Sequence, residues 1–112
     1  MLNLRSKPIV TSPRAALFTL STRLPIEDKS VSDRLNRAYD IVTGYGYTVE
    51  LLNSDNDAEY AVYKASTTLL EDTSVCYSVT QHSCTCPDYE KARGNLCKHR
   101  LAVMIVREMV RV

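Results

Sequence analysis

Cys84, Cys86, Cys97 and His99 stand in the order CxC, ten residues, CxH, and no other grouping in the chain limits its folding as tightly. Three soft thiolates and one imidazole are the donor set of a tetrahedral zinc site. One intervening residue puts Cys84 and Cys86 on the same side of an extended segment, about 7 Å apart at Cα by the rise per strand residue. Inward-leaning rotamers then bring both sulfurs to one metal at about 2.3 Å. Cys97 and His99 cannot share a face of a regular helix, because two residues turn the chain by about 200°. Cys97 is therefore expected just before a helix and His99 in its first turn. Three thiolates on a divalent ion leave a negative site, which that helix N-terminus and the flanking Lys98 and Arg100 stabilise. Pro87 and Asp88 turn the chain out of the strand, and Gly94 and Asn95 loosen it again before Cys97.

A disulfide within CxC closes a strained ring, and no secretory leader is recognised at the start of the chain. A nucleophilic or redox cysteine needs an open thiolate beside a base. Clustering with a histidine favours a closed metal site over both. Cys76 falls outside the cluster, in a strand-like run with Val75 and Tyr77, and is expected to be a buried or half-buried thiol. His82, two residues before Cys84, ranks below the four as a ligand because their shell is already complete.

The run Cys84-Thr85-Cys86-Pro87-Asp88-Tyr89, followed by Cys97-Lys98-His99-Arg100-Leu101-Ala102-Val103, resembles the SWIM zinc finger. Tyr77-Ser78-Val79 resembles the strand that leads into the first cysteine pair of that family. The resemblance covers residues 75 to 107 and all four ligand positions. It implies a strand–strand–helix zinc unit of the kind found in SWI/SNF-type ATPases, Mutator-type transposases, recombination accessory proteins and many small bacterial and archaeal proteins. It also implies DNA binding or protein interaction. No ATPase, transposase or recombinase segment accompanies the motif.

With 112 residues the chain is long enough for one small core and too short for two, and a zinc knot would help a core of that size hold together. The longest uninterrupted apolar run, Leu101 to Val106, is far too short to span a membrane, so a soluble chain is expected, and its expected location is intracellular, in the cytoplasm and nucleoid or the nucleus. Net charge is only +1, but residues 1–37 carry +4, residues 38–82 carry −6 and residues 83–112 carry +3. An anion-binding surface is therefore compatible with a nearly neutral chain.

Residues 1–26 hold no Asp or Glu but include Arg5, Lys7, Arg14 and Arg23, and read as a basic N-terminal arm. It has three possible places: against phosphates, on a partner through Leu17, Phe18 and Leu20, or against its own domain. Ser12-Pro13 offers a cap and first position for a short helix. An organellar leader shares this composition and ranks below an arm. The remainder, 27–112, reads as one SWIM-type zinc-binding domain.

A helix is predicted from near Ser30 or Ser32 to Gly44, with Val31, Leu35, Ala38, Tyr39 and Val42 on one face. Ser30 with Asp33 resembles a capping box and Gly44 a stop, while Arg34 and Arg37 point outward. Three strands should follow, Gly46 to Leu52, Glu59 to Ala65 and Val75 to Thr80, separated by turns such as 53–57. That acidic turn lacks the glycine and terminal acid of a calcium loop. In the last helix Leu101, Ile105 and Met109 take one side and Val103, Val106 and Val110 another. Either the Val31 to Val42 helix or a second chain must cover so much apolar surface.

The expected fold is α+β: a helix, a three-stranded antiparallel sheet, a zinc knuckle and a C-terminal helix. One structural Zn2+ is expected, held by Cys84, Cys86, Cys97 and His99. The expected function is a nucleic-acid-binding module, DNA ahead of RNA, serving DNA-processing, recombination or transposition machinery. Lys91, Arg93, Lys98 and Arg100 are the candidate phosphate contacts, on one exposed surface, and Tyr89 either stacks on a base or packs on the knuckle. The alternative is a protein-interaction adaptor, or a homodimer, built on the C-terminal helix and the arm. No carboxylate pair, Ser/His/Asp set, phosphate loop or open metal position is visible in the sequence, so an enzyme is not expected.

Overall fold

The computed structural model describes residues 2–3, 11–44, 47–53, 58–64, 76–80 and 83–110. The short acid-free segment after residue 11 folds as α1 (Pro13–Ser21), with Ser12 accepting from the Ala15 N–H and Pro13 in the first turn. A proline there gives up an N–H that has no intrahelical partner anyway. α2 (Lys29–Thr43) starts at Asp28, whose carboxylate accepts from the Ser30 N–H at 2.9 Å. The expected Ser30–Asp33 box is therefore replaced. With Asp28 already capping, Asp33 instead pairs with Lys29 one turn back at 3.2 Å. α2 stops at Gly44, whose N–H bonds the Asp40 carbonyl at 2.7 Å. A Cβ at Gly44 would lie 2.7 Å from that same oxygen, so close approach makes glycine the fitting residue here.

The strands are β1 (Leu2–Asn3), β2 (Tyr47–Asn53), β3 (Glu59–Lys64) and β4 (Cys76–Val79). β2, β3 and β4 form the expected antiparallel meander, and two residues of β1 add a parallel strand along β2, giving the order β1-β2-β3-β4. The outer residues Gly46, Ala65 and Val75 of the predicted strands, the turn 54–57 and His82 lie outside the described residues. Register follows the alternation: Val49 opposes Val62, Leu51 opposes Tyr60, and Tyr60 opposes Val79. Val49, Val62 and Val79 are fully buried, whereas on the other face Ser78 donates to Glu59 at 2.6 Å and Tyr63 to Glu50 at 3.3 Å. One apolar face and one polar face is the pattern of an antiparallel sheet covered by helices on one side. Cys76 is exposed, contrary to its expected burial, because its place on β4 falls on the polar face while its neighbour Tyr77 turns to the core.

α3 (Lys98–Met109) is the central element. It packs against α1, α2 and the sheet, and Leu101, Ala102, Val103, Ile105, Val106, Met109 and Val110 are all buried. The two apolar sides read from the sequence are both real, and the chain covers both itself. The surface reserved for a second chain at Val103, Val106 and Val110 is thus interior. α1 provides part of that cover. Ala16 and Leu20 are buried, Thr11 donates to the Met109 carbonyl at 3.1 Å, and Arg23 pairs with Glu108 at 2.7 Å. Of the three places open to the N-terminal segment, residues 11–24 take the one against their own domain. Among the described residues no helix is long and apolar enough to cross a membrane.

Candidate metal centre

The first two cysteines lie on an extended segment held alongside the end of β4. Val79 bridges Cys84, the Thr80 N–H bonds Ser83 and the Thr85 N–H bonds Ser78. Thr85 also accepts from the Ser78 N–H through its hydroxyl at 3.1 Å. The segment is extended, so Cys84 and Cys86 are buried and Thr85 between them is exposed. This is the same-side placement that the CxC spacing dictates.

After Pro87 the chain closes one helical turn, with the Asp88 carbonyl accepting from Lys91 and Ala92 at 3.0 and 2.9 Å. A 3-10 turn follows at Arg93–Asn95, in which Gly94 and Asn95 take left-handed φ values of 64° and 56°. Asparagine tolerates that region when its side chain bonds locally, and Asn95 donates to the Tyr89 carbonyl at 2.9 Å. Cys97 is the extended cap residue of α3 and His99 lies in the first turn, as the 200° argument requires.

The four ligand atoms lie within 4.8 Å of one another, and all four residues are buried. Tetrahedral bonds of about 2.3 Å to sulfur and 2.0 Å to nitrogen need donors separated by somewhat less than that, so a small inward adjustment closes the shell. His99 Nδ1 is the one buried side-chain polar atom among the described residues with no hydrogen-bond partner, a costly arrangement unless the atom has another task. The Tyr77 ring lies against the imidazole, with centroids 4.5 Å apart, and fixes its orientation from β4.

The sulfurs compete for protons. Cys97 is lowered to about 4, chiefly by the Cys84 thiol donating to it, with His99 and the Arg100 peptide N–H adding to that against the effect of burial. Cys84 is pushed far up, first by giving its proton to Cys97 and then by burial, and Cys86 is raised by burial. Three buried thiolates in contact cannot all ionise on their own. A divalent cation removes the conflict, and the peptide N–H groups of Cys86 and Asp88 already favour the charged forms of Cys84 and Cys86.

A SWIM zinc finger family model matches residues 47–108, more than half of the chain. The chain belongs to the SWIM zinc finger family. No curated protein and no solved structure matches it. In this SWIM module the Cys3His cluster is a site for one structural zinc ion. Cys84, Cys86, Cys97 and His99 would hold it. When bound, the ion would supply the positive charge that lets three thiolates share one buried pocket.

The expected basic cluster is divided. Lys91 and Lys98 line one depression of about 280 Å³ with Tyr77, Pro87, Asp88 and the metal residues Cys86 and His99. Arg100 lines a different groove, of about 550 Å³, with Arg23 and Arg107, because residues 98 and 100 point to different sides of α3. Arg100 also donates to the Asn95 carbonyl at 2.9 Å and lies 6.0 Å above the Tyr89 ring. The side chain of Arg93 lies outside the described residues. Tyr89 is half-buried and packs against the core, which supports its packing role. Sequence reasoning missed Arg34. Read as outward-facing, it makes a two-pronged contact with Asp88 at 2.7 and 2.8 Å. Nothing local in the sequence signals a pair 54 residues apart.

Proposed function

We propose that this zinc module binds nucleic acid, DNA ahead of RNA, within DNA-processing, recombination or transposition machinery. The observation that carries this reading is the convergence of Lys91 and Lys98 on one depression at the knuckle, where the Asp88 carboxylate is already paired with Arg34. The zinc loop supplies one lysine and the N-terminal turn of α3 the other. That helix end adds its own partial positive charge. The contacts are of the phosphate-positioning kind and carry no base readout.

Anisotropy titrations of metal-quantified protein against short single- and double-stranded DNA and RNA at two salt concentrations test it. Micromolar or tighter binding that weakens with salt is expected, with K91E/K98E losing at least tenfold while still folding. Absence of binding at low salt by folded, zinc-loaded protein would overturn it.

A second reading, a protein-interaction adaptor, is favoured by the groove between α1 and α3. Half-buried Leu24 and Met104 form its accessible apolar part above the buried Leu20 and Val103, and Arg100 and Arg107 add positive charge beyond the Arg23–Glu108 pair. An acidic segment with an apolar anchor suits that lining. The Arg107→Glu variant separates the two readings. Nucleic-acid affinity unchanged by it leaves the groove to a protein, and affinity lost with it joins the groove to the nucleic-acid surface.

A further inference from the structure

Asp88 is joined to three parts of the molecule at once. Its peptide N–H faces the Cys86 sulfur. Its carbonyl closes the turn to Lys91 and Ala92. Its carboxylate is gripped by Arg34 of α2, Nε to Oδ2 at 2.7 Å and Nη2 to Oδ1 at 2.8 Å. A fork-to-carboxylate contact fixes orientation as well as distance. The pair is also sheltered, with 18 % of the Arg34 and 36 % of the Asp88 side-chain surface exposed. Arg34 is itself held by the Ser30 hydroxyl and carbonyl one turn back, so the guanidinium is positioned before it meets the loop.

We infer that Arg34 is a positioning residue of the zinc centre: by clamping Asp88 it keeps the Cys86 loop closed over the ion and sets how slowly zinc is released. Two features of the site make this more than a surface ion pair. The loop from Pro87 to Leu96 joins the two ligand pairs, and Asp88 stands two residues past Cys86, so a hold on Asp88 would also limit outward movement of the Cys86 sulfur. Arg34 grips that stretch from an element outside the finger. The second feature is charge. Three thiolates, one neutral imidazole and a divalent ion sum to a net negative centre, and pairing with Arg34 cancels the Asp88 carboxylate that would otherwise add to that charge two residues from Cys86. Partners that orient metal ligands from beyond the coordination shell are worth about tenfold to a hundredfold in metal affinity.

The test measures zinc release from the full, zinc-loaded chain to excess chromogenic chelator at neutral pH. Arg34→Gln should release zinc about tenfold to a hundredfold faster than the parent. Arg34→Lys keeps the charge but not the fork, and should fall between the two. The control is Val42→Ala, which removes packing atoms from the buried face of α2 without touching the clasp. A merely structural role for Arg34 would make Arg34→Gln and Val42→Ala release zinc alike at equal loss of thermal stability. The clasp requires Arg34→Gln to release faster at matched stability. Both should give the same tetrahedral thiolate spectrum when saturated with cobalt(II). Release at the parent rate from a folded Arg34→Gln chain would overturn the inference. Should that variant not fold, parent-rate release from Arg34→Lys would do the same.

Discussion

Cys97 sits where two demands meet, as the extended residue that starts α3 and as the sulfur most ready to ionise. Replacing it by alanine removes one ligand and leaves two thiols and an imidazole that no longer match a closed zinc shell. The Cys97→Ala chain is expected to lose its zinc and the order of its C-terminal half, since apparent zinc energies in small fingers are about 10 kcal/mol. Cys76→Ala, on the exposed face of β4, should keep one zinc per chain and its circular dichroism. Metal content and far-ultraviolet dichroism of the two proteins check this together. The four residues of the buried Cys3His cluster were legible in the sequence, because their chemistry and spacing leave few alternatives. Their supports were not. Arg34 and Asp88 are brought together only by the docking of α2 on the knuckle. The contact of Tyr77 with His99 depends on β4 turning that ring inward while Cys76 faces out.

At the scale of elements, hydrophobic period was the informative signal and sign of charge the misleading one. The stripe on α2 and the alternation on β2 located the buried faces of both: Val31, Leu35, Ala38, Val42 and Val49 are buried as read, while Tyr39 is only half-buried and Ile41, not in the stripe, takes its place in the core. The basic, acid-free start resembled an arm, yet Ala16 and Leu20 carry its helix α1 into the core, and Arg23 lines the groove beside α3. The sheet supplies a pH-dependent prediction. Tyr60 on β3 is 5 % exposed and its hydroxyl is raised above the ordinary tyrosine value, first by burial, with Arg107 opposing. A raised folded value means that its contribution to stability is complete below the unfolded pKa of about 10. That contribution fades as pH climbs through the folded value. Melting temperatures measured between pH 8 and 11 should therefore fall less steeply for Tyr60→Phe than for the parent. Equal slopes would show that Tyr60 does not resist ionisation.

On the scale of the whole molecule, α3 is the axle. Its first turn presents His99 to the metal, and its remaining turns fill the space between the sheet, α1 and α2. Burying side chains such as Leu101, Ile105 and Met109 is worth about 1.5–3 kcal/mol each, and all three depend on a helix whose start is tied to the zinc knuckle. Folding and metal binding are therefore one equilibrium. X-ray absorption at the zinc edge, on protein with its metal content measured, tests this most directly. One zinc per chain is expected, with three sulfurs at about 2.3 Å and one nitrogen at about 2.0 Å. A folded chain that binds no zinc, or a shell with a different sulfur count, would contradict the account.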